Sequence, residues 1–550
     1  MKILLVAINA KYIHSNLAVY SLRSMVREKG GLVEIAEYTI NQRVDTILRD
    51  LYLRQPQVIC FSCYIWNIRM VGELAEELSK VCPGVRIWLG GPEVTHCPEE
   101  ILARYLQTEG VMRGEGEGIF PYLVENWLHG GISLEEIRGI TWRGRDGHLR
   151  KTEDAVSMVM DEIPFPYEDL DFFRHKIVYY ESSRGCPFLC SYCLSSLDKR
   201  VRYRSQELVE RELALFLEKR IPQVKFVDRT FNCDPKRTEK LLRWIVENDN
   251  GCTNFHFEVS AELLTEEELK LMERMRPGLI QLEIGVQSTS VDTLREIRRR
   301  ADLEKLEEVV ARIRAMGNIH QHLDLIAGLP YEDLDGFHRS FDRVFAMKPD
   351  QLQLGFLKIL KGTRMEAKAK EYGMAFHRYP PYEVMSTRWL TYGELLLLKQ
   401  VEEMVEVYYN SRQFDCTLRE ILKEYSSPFV FFCQLGDYYH RRGYDEMSHS
   451  RMARYEILRE FIRDRGWDQA GWDACMVYDL YSRERLKSRP SFAADQSPYR
   501  ERLREYERQY GKKVHIEAFP VGEEAVYVLF DYDRRDPLTK KAYTERINDQ

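Results

Sequence analysis

The sequence has no long apolar run. Across its 550 residues nothing approaches the ~20 consecutive apolar residues that span a bilayer, the longest candidates being pieces such as Leu395 to Leu398. The start, MKILLVAINAKY, has one lysine and six apolar residues before Asn9. That is shorter than the apolar core of a secretory signal, and a small-residue cleavage site is missing. The expectation is a cytoplasmic protein with no membrane segment. Cysteine is too sparse for a disulfide framework, at 12 residues in 550, so any clustered thiols should bind metal or do chemistry. Charge of one sign is also lacking: 80 basic against 87 acidic residues leave −7, which gives no clear nucleic-acid signal. No internal repeat is visible. What the sequence does hold is core material, 44% hydrophobic and 12% aromatic, with a mean hydropathy of −0.43. Disorder and a single small binding module are both excluded, and several folded domains are expected.

The first 125 residues alternate short apolar strands with helical stretches: Ile3 to Ile8, Leu32 to Tyr38, Val58 to Cys63, Val85 to Leu89 and an edge near Val111. This pattern predicts an α/β domain, a doubly wound parallel sheet of flavodoxin or Rossmann type over residues 1–135. Ligands of such sheets sit beyond the carboxyl ends of the strands, where strand order reverses. The loops holding Ser62-Cys63-Tyr64 and Gly90-Gly91 are therefore candidate site loops. Residues 136–170 read as a linker with a β-hairpin, turning at Asp146-Gly147 as a two-residue turn. A second alternating series has strands at Ile177 to Ser182, Gln223 to Asp228, Asn254 to Val259, Leu279 to Gly285, His320 to Ile326 and Gln351 to Leu357. It predicts a partial (β/α)6 barrel over 171–373 with its site at the carboxyl ends of the strands. Residues 374–550 read as mainly helical, with a loop from Lys487 to Arg500 and late strands at Lys513 to Ala518 and Ala525 to Phe530.

Just after the first barrel strand, the segment from Arg184 to Cys193 carries Cys186, Cys190 and Cys193, three thiols within eight residues. One loop so spaced can wrap an iron-sulfur cluster, filling three corners of a four-iron cube and leaving one iron open to a substrate or cofactor. Structural zinc wants four ligands, usually as two close pairs, and no second pair follows. The Cys-x3-Cys-x-Tyr-Cys loop resembles the signature of the radical S-adenosylmethionine enzymes. Over roughly 170 to 360, FEVSAE at Phe257 to Glu262, EIGVQS at Glu283 to Ser288 and DLIAGLP at Asp324 to Pro330 resemble the branch that includes the oxygen-independent coproporphyrinogen oxidases. The resemblance implies a [4Fe-4S] cluster on the three cysteines, with S-adenosylmethionine held by Glu258, Gln287, Asp324 and Arg299, the last within the run Arg298-Arg299-Arg300. It places Tyr192 beside the adenine. Phe226 to Thr230 stands where the family has a Gly-Gly-Glu type motif, so Asp228 is the candidate carboxylate for the methionine amine. An electron donor of reduced flavodoxin or ferredoxin type is implied as partner.

The amino-terminal domain is similar to a cobalamin-binding domain. In that fold Ser-x-Leu followed by Gly-Gly surrounds the nucleotide tail of the corrinoid, and Ser62, Tyr64, Gly90 and Gly91 nearly reproduce it. Asn9 to Asn16 resembles the start of a cobalamin-dependent radical subgroup with a carboxyl-terminal domain of unknown function. The histidine-ligand motif Asp-x-His-x-x-Gly is missing, and His14 lies in the right loop within a different sequence. His14 is thus a candidate near cobalt, or else a polar helix-start residue. The resemblance implies reductive cleavage of S-adenosylmethionine and methyl transfer to an unactivated carbon. Radical rearrangement or carbon-carbon chemistry without methylation is the alternative, and a non-catalytic corrinoid and iron-sulfur carrier or sensor is the rival. No catalytic residue and no substrate class is legible.

Three further patterns read as structural. Cys60 and Cys63 are three apart on a strand and should face opposite sides of the sheet. Gly114 to Gly118, with Glu115 and Glu117, would repel a pyrophosphate and reads as a tight connection beside a domain interface. Aromatic runs such as Phe429 to Phe432 read as helix packing.

Overall fold

The computed structural model describes residues 1–29, 32–467, 469–511, 513–522 and 524–547. Strands β1 (Ile3–Asn9), β2 (Val33–Thr39), β3 (Val58–Ser62), β4 (Arg86–Gly90) and β5 (Gly110–Met112) form a parallel sheet in the order β2-β1-β3-β4-β5. Every residue of β1 is buried, because helices cover both faces of the sheet and an apolar run is then required on both sides of each strand. Ile47, Leu51, Ile68, Val71 and Leu74 pack on one face and Val19, Phe120 and Leu123 on the other. Cys60 belongs to the second face and Cys63 to the first, as the period of a strand demands.

The segment after β5 departs from the expected free-standing connector. Strand β6 (Ile140–Arg143) adds antiparallel to β5, and β7 (Leu149–Lys151) antiparallel to β6, extending the same sheet. Their turn is also longer than two residues. Arg143 pairs with Leu149, leaving Gly144 to His148 as the connection, and the Asp146 Oδ1 accepts from the His148 N–H at 3.1 Å. An aspartate bonded to its own backbone two residues on makes the turn by itself, so the Asp-Gly pair need not sit at the centre of a two-residue hairpin.

The second unit begins with β8 (Val178–Tyr180). The short pair β9 (Ser183–Arg184) and β10 (Arg202–Tyr203) flanks the cysteine loop. Then follow β11 (Gln223–Phe226), β12 (Asn254–Val259), β13 (Ile280–Gln287), β14 (His320–Ala327) and β15 (Gln351–Phe356), all parallel, in the order β8-β11-β12-β13-β14-β15. One face of these strands is apolar and packs under the helices through Phe226, Phe255, Phe257, Leu282, Leu323 and Leu352. The other presents Tyr179, Lys225, His256, Glu258, Glu283, His322 and Asp324. Lys225 Nζ on β11 reaches Glu283 Oε2 on β13 at 2.9 Å, across the intervening strand. The sheet therefore curves toward its polar face as an open six-stranded barrel.

The chain continues through the pair β16 (Ala375–Phe376) and β17 (Val384–Ser386) into helices that include Tyr392–Met404, Pro428–Arg442, Arg451–Asp464 and Gln469–Arg483. Phe429, Phe431 and Phe432 are buried among them. It closes with an antiparallel sheet of β18 (Val514–Val521), β19 (Glu524–Arg535) and β20 (Ala542–Ile547), one strand more than expected. Half of β20 is exposed, so its sequence lacks the apolar alternation that marks a buried strand.

The first sheet and the barrel are joined by a partly buried ionic network. Arg184, beside the cysteine loop, meets Glu117 at 2.8 Å and Glu115 at 3.2 Å, and Arg202 pairs with Glu115. The Gly114 to Gly118 segment is thus an interface connection, and its two glutamates receive arginines. Lys176 and Glu37, 3.0 Å apart and both buried, make a second tie. The Tyr382 hydroxyl donates to the buried Glu93 carboxylate in the loop after Gly90-Gly91.

Candidate functional site

The cysteine loop is held by backbone contacts. Gly185 has φ +98°, and a Cβ there would sit 2.5 Å from the Arg200 carbonyl oxygen, so only glycine lets the two limbs of the loop close. The Cys186 N–H donates to Asp198 O at 3.1 Å, the Ser191 N–H to Ile297 O at 2.9 Å and the Met365 N–H to Ser191 O at 2.8 Å. Burial pushes the Cys186 thiol up, opposed by hydrogen bonds to Phe188 and Thr230 and reinforced by the field of Cys193 and Cys190, which places the three sulfurs around one region. Among the described residues no set of three His, Cys, Asp or Glu side chains closes on a point the size of a single ion.

Above this loop lie the barrel strand ends. Gln287 ends β13 at φ +73°, where the register with β14 shifts between Gly285 and Gln287. A strained bulge at the end of a barrel strand re-aims a side chain. The arginine run resolves into one inward residue. Arg298 turns left-handed at φ 56° and both it and Arg300 are exposed, while Arg299 folds back over β13 and donates through Nη2 to Gly285 O. Three buried polar atoms here have no partner, Gln287 Oε1, Arg299 Nε and Glu262 Oε2, while Asp324 Oδ1 lies 3.1 Å from His322 Nε2. Buried polar atoms are nearly always paired in folded proteins, so such a concentration marks a place built for a polar ligand.

The electrostatics agree. Burial raises Asp324 to about 8, helped by the nearby Glu283 and Glu258 carboxylates. Burial likewise raises Glu258 to about 7, against the pull of Arg229. Burial by itself would raise Glu283, but His256 and Lys225 hold it well below the carboxylate range. Crowded carboxylates that resist ionisation await a cation. Tyr192 is nearly buried, between Cys190 and Arg299. The donor set fits S-adenosylmethionine: carboxylates for its cationic groups and ribose hydroxyls, an arginine for its carboxylate, and three thiols for a cluster below.

Asp228 does not join this set. It is 1% exposed, and its oxygens accept from Ser182 N at 3.0 Å, Ser182 Oγ at 2.9 Å and Ser183 Oγ at 2.5 Å. Three bonds to its carboxylate pin the turn leading into the cysteine loop. His14 Nδ1 is 2.7 Å from the Tyr179 hydroxyl on the barrel's first strand, and burial lowers its pKa, so the ring ties the two domains through that nitrogen. The two loops proposed for cobalamin do come together. The Cys63 N–H donates to Gly90 O at 2.7 Å, and a Cβ on Gly91 would meet Cys63 O at 2.5 Å. Tyr64 stacks on Trp66 at 4.4 Å, and Trp66 is 44% exposed, an aromatic face of the kind a large planar cofactor packs against.

Sequence reasoning missed Glu262, Thr230 and the lower barrel layer of Lys225, His256, Glu283 and His322. A signal was present: NFHFEV, IQLEIGVQ, HQHLDLIA and QLQLGF alternate polar with apolar residues, whereas strands that fill a barrel are apolar on the inner face as well.

The fold and site define a radical S-adenosylmethionine barrel coupled to a corrinoid-binding domain. Family models agree: residues 3–124 match the B12 binding domain, 180–344 the Radical SAM superfamily and 370–526 a protein of unknown function, DUF4080. The chain belongs to the radical S-adenosylmethionine proteins that carry an amino-terminal B12-binding domain. Such proteins need an electron donor. The chain is similar to the 2-(S-pantetheinyl)-carbapenam-3-carboxylate methyltransferase of Streptantibioticus cattleyicolor, 26% identical over 319 residues, 52% of this chain and 44% of that one. It is also similar to the cobalamin-dependent radical SAM methyltransferase TokK of Streptomyces tokunonensis, 23% identical over 346 residues, 58% and 50% of the two chains. It thus spans about half the length of these relatives. In fold it is similar to the cobalamin-dependent S-adenosylmethionine radical enzyme OxsB with aqua-cobalamin bound, at TM-score 0.61 and 16% identity, covering 92% of this chain and 80% of that one. No helix among the described residues is long and apolar enough to cross a membrane.

Proposed function

We propose that the protein is a cobalamin-dependent radical enzyme that transfers a methyl group to an unactivated carbon in the cytoplasm. The observation that carries this reading is the group of unpartnered buried atoms on Gln287, Arg299 and Glu262 above a three-cysteine loop. Cys186, Cys190 and Cys193 would hold a [4Fe-4S] cluster, the strand ends S-adenosylmethionine, and the loops of Ser62, Tyr64, Gly90 and Gly91 the cobalamin. When bound, these groups supply the electron that opens S-adenosylmethionine to a 5′-deoxyadenosyl radical, and a transferable methyl. The chain's own residues do the rest. Arg299 fixes the carboxylate end of S-adenosylmethionine against β13. Glu258 and Asp324 give up their protons to meet its cationic and hydroxyl groups. The curved sheet and the docked first domain keep water from the reacting atoms. We also propose the division 1–135, 136–170, 171–373 and 374–550, the hairpin of the second segment lying on the first domain's sheet.

Anaerobic reconstitution with iron, sulfide and hydroxocobalamin, followed by reductant and S-adenosylmethionine, tests the reading. Wild-type protein should form 5′-deoxyadenosine. Cys186→Ala, Cys190→Ala and Cys193→Ala should each lose the four-iron absorbance and the cleavage while still taking up corrinoid. A fully loaded cluster that leaves S-adenosylmethionine intact would favour the carrier instead.

A further inference from the structure

The surface outside the cysteine loop carries a cationic patch with no internal partner. Lys199 and Arg200 lie on the returning limb of that loop and are exposed. Tyr203 follows, 37% exposed, and lines an open cavity of about 370 Å³ with Lys236, Arg237 and Lys240 from the first turns of the helix Pro235–Glu247. Among the described residues no carboxylate pairs with Lys199, Arg200, Lys236 or Lys240. The acids beside them are already occupied. Asp198 pairs with Arg202 at 3.0 Å, Asp161 accepts from the Ser205 N–H at 2.7 Å, and Asp234 caps the helix by accepting from the Arg237 N–H at 3.2 Å.

A chain of contacts runs inward from the patch. The Arg237 guanidinium lies 5.2 Å from the centre of the Tyr203 ring, and the Tyr203 hydroxyl is 3.2 Å from Cys233 Sγ. The Cys233 N–H donates to Thr230 O at 3.3 Å, and Thr230 Oγ1 is 3.8 Å from Cys186 Sγ. Cys233 and Tyr203 have no other task in the site described above.

Resting on the proposed function, we infer that this patch is the docking face of the electron donor, a small acidic one-electron carrier protein. Its negative surface would seat on Lys199, Arg200, Lys236 and Lys240 with its cofactor edge over Tyr203. One electron leaves the reduced carrier and one enters the oxidised cluster on Cys186, Cys190 and Cys193, with no proton or group transferred. Unpaired surface cations steer an acidic partner in a salt-dependent way.

The test uses the full-length reconstituted protein and an FMN-containing flavodoxin as probe, with two readouts. The first is the Kd of the complex at low and at high salt, which requires no turnover. The second is the rate of cluster bleaching by reduced flavodoxin compared with dithionite. The pair Lys236→Glu and Lys240→Glu, and separately Lys199→Glu with Arg200→Glu, should each raise the Kd by about tenfold or more at low salt and flatten its salt dependence. Bleaching by flavodoxin should slow to match, while bleaching by dithionite is unchanged. Charge reversal at Arg463 and Lys487, exposed on the carboxyl-terminal domain, should do neither. A Kd that both patch pairs leave within twofold of wild type, or that the distant pair raises equally, overturns the assignment. Failure of dithionite to bleach any cluster in wild type would instead strike the underlying function, and the Kd would still decide the docking face.

Discussion

Gly285→Ala is a clean probe of the strand-end site. Gly285 lies within β13 and its φ is not positive, so alanine suits the backbone. The added Cβ would sit 2.3 Å from Gln287 Nε2 and 3.5 Å from Arg299 Nη2. The Gln287 amide must swing away, and the Arg299 bond to the Gly285 carbonyl is disturbed with it. A hydrogen bond to a charged group contributes about 1.5–3 kcal/mol. Losing one therefore weakens S-adenosylmethionine binding by about 10- to 150-fold, at 1.4 kcal/mol per decade. Stability should hold, because replacing glycine by alanine at a compatible position gains about 0.4–1 kcal/mol from the unfolded state, which offsets a small side-chain shift. Titration calorimetry of S-adenosylmethionine into anaerobically reconstituted protein reads the affinity, and thermal melting the fold. Gln287→Ala should cost a similar amount, and the double variant little more, since both remove one contact. An affinity within twofold of wild type, with normal melting, would refute the placement of Gln287 and Arg299 against the ligand.

Three more outcomes follow from the geometry. Raised to about 8, Asp324 is largely protonated at neutral pH before ligand binds, and Glu258, at about 7, is roughly half protonated. A cationic ligand prefers them ionised, so affinity should rise with pH through 7 to 8, and binding at pH 7 should release protons; calorimetry in buffers of different ionisation heat checks this. The same carboxylates lower apo stability as pH rises from about 4, their unfolded value, toward 8, because over that window the folded state binds more protons than the unfolded one. Arg184→Met leaves Glu117 buried without its arginine, while Glu115 keeps Arg202; it should cost about 3 kcal/mol and let the amino-terminal domain unfold separately from the barrel, seen as two transitions in calorimetry. Asp228→Ala removes the acceptor of three bonds from Ser182 and Ser183 and should lower stability by about 3 kcal/mol, while S-adenosylmethionine affinity per folded molecule stays near wild type. A selective loss of affinity would restore Asp228 to the ligand set.

Sequence alone was sufficient for whatever depends on neighbours along the chain. The strands of both sheets follow from runs of apolar residues cut by helical stretches, and three thiols within eight residues define one loop wherever that loop lies. The split of Cys60 and Cys63 to opposite faces is likewise a matter of strand period. Tertiary structure decided everything that depends on where a side chain finally points. Only the left-handed turn at Arg298 selects Arg299 from three consecutive arginines. Asp228 and a ligand-binding carboxylate look alike until Ser182 and Ser183 fold onto the former. Glu93 meets Tyr382 from 289 residues away, and the 140–151 hairpin gains its place from β5, which no local pattern encodes. Periodicity records burial, a local property repeated along each element. The partner of a buried polar group is set by long-range closure of the chain, and that is where the chemistry of this site was settled.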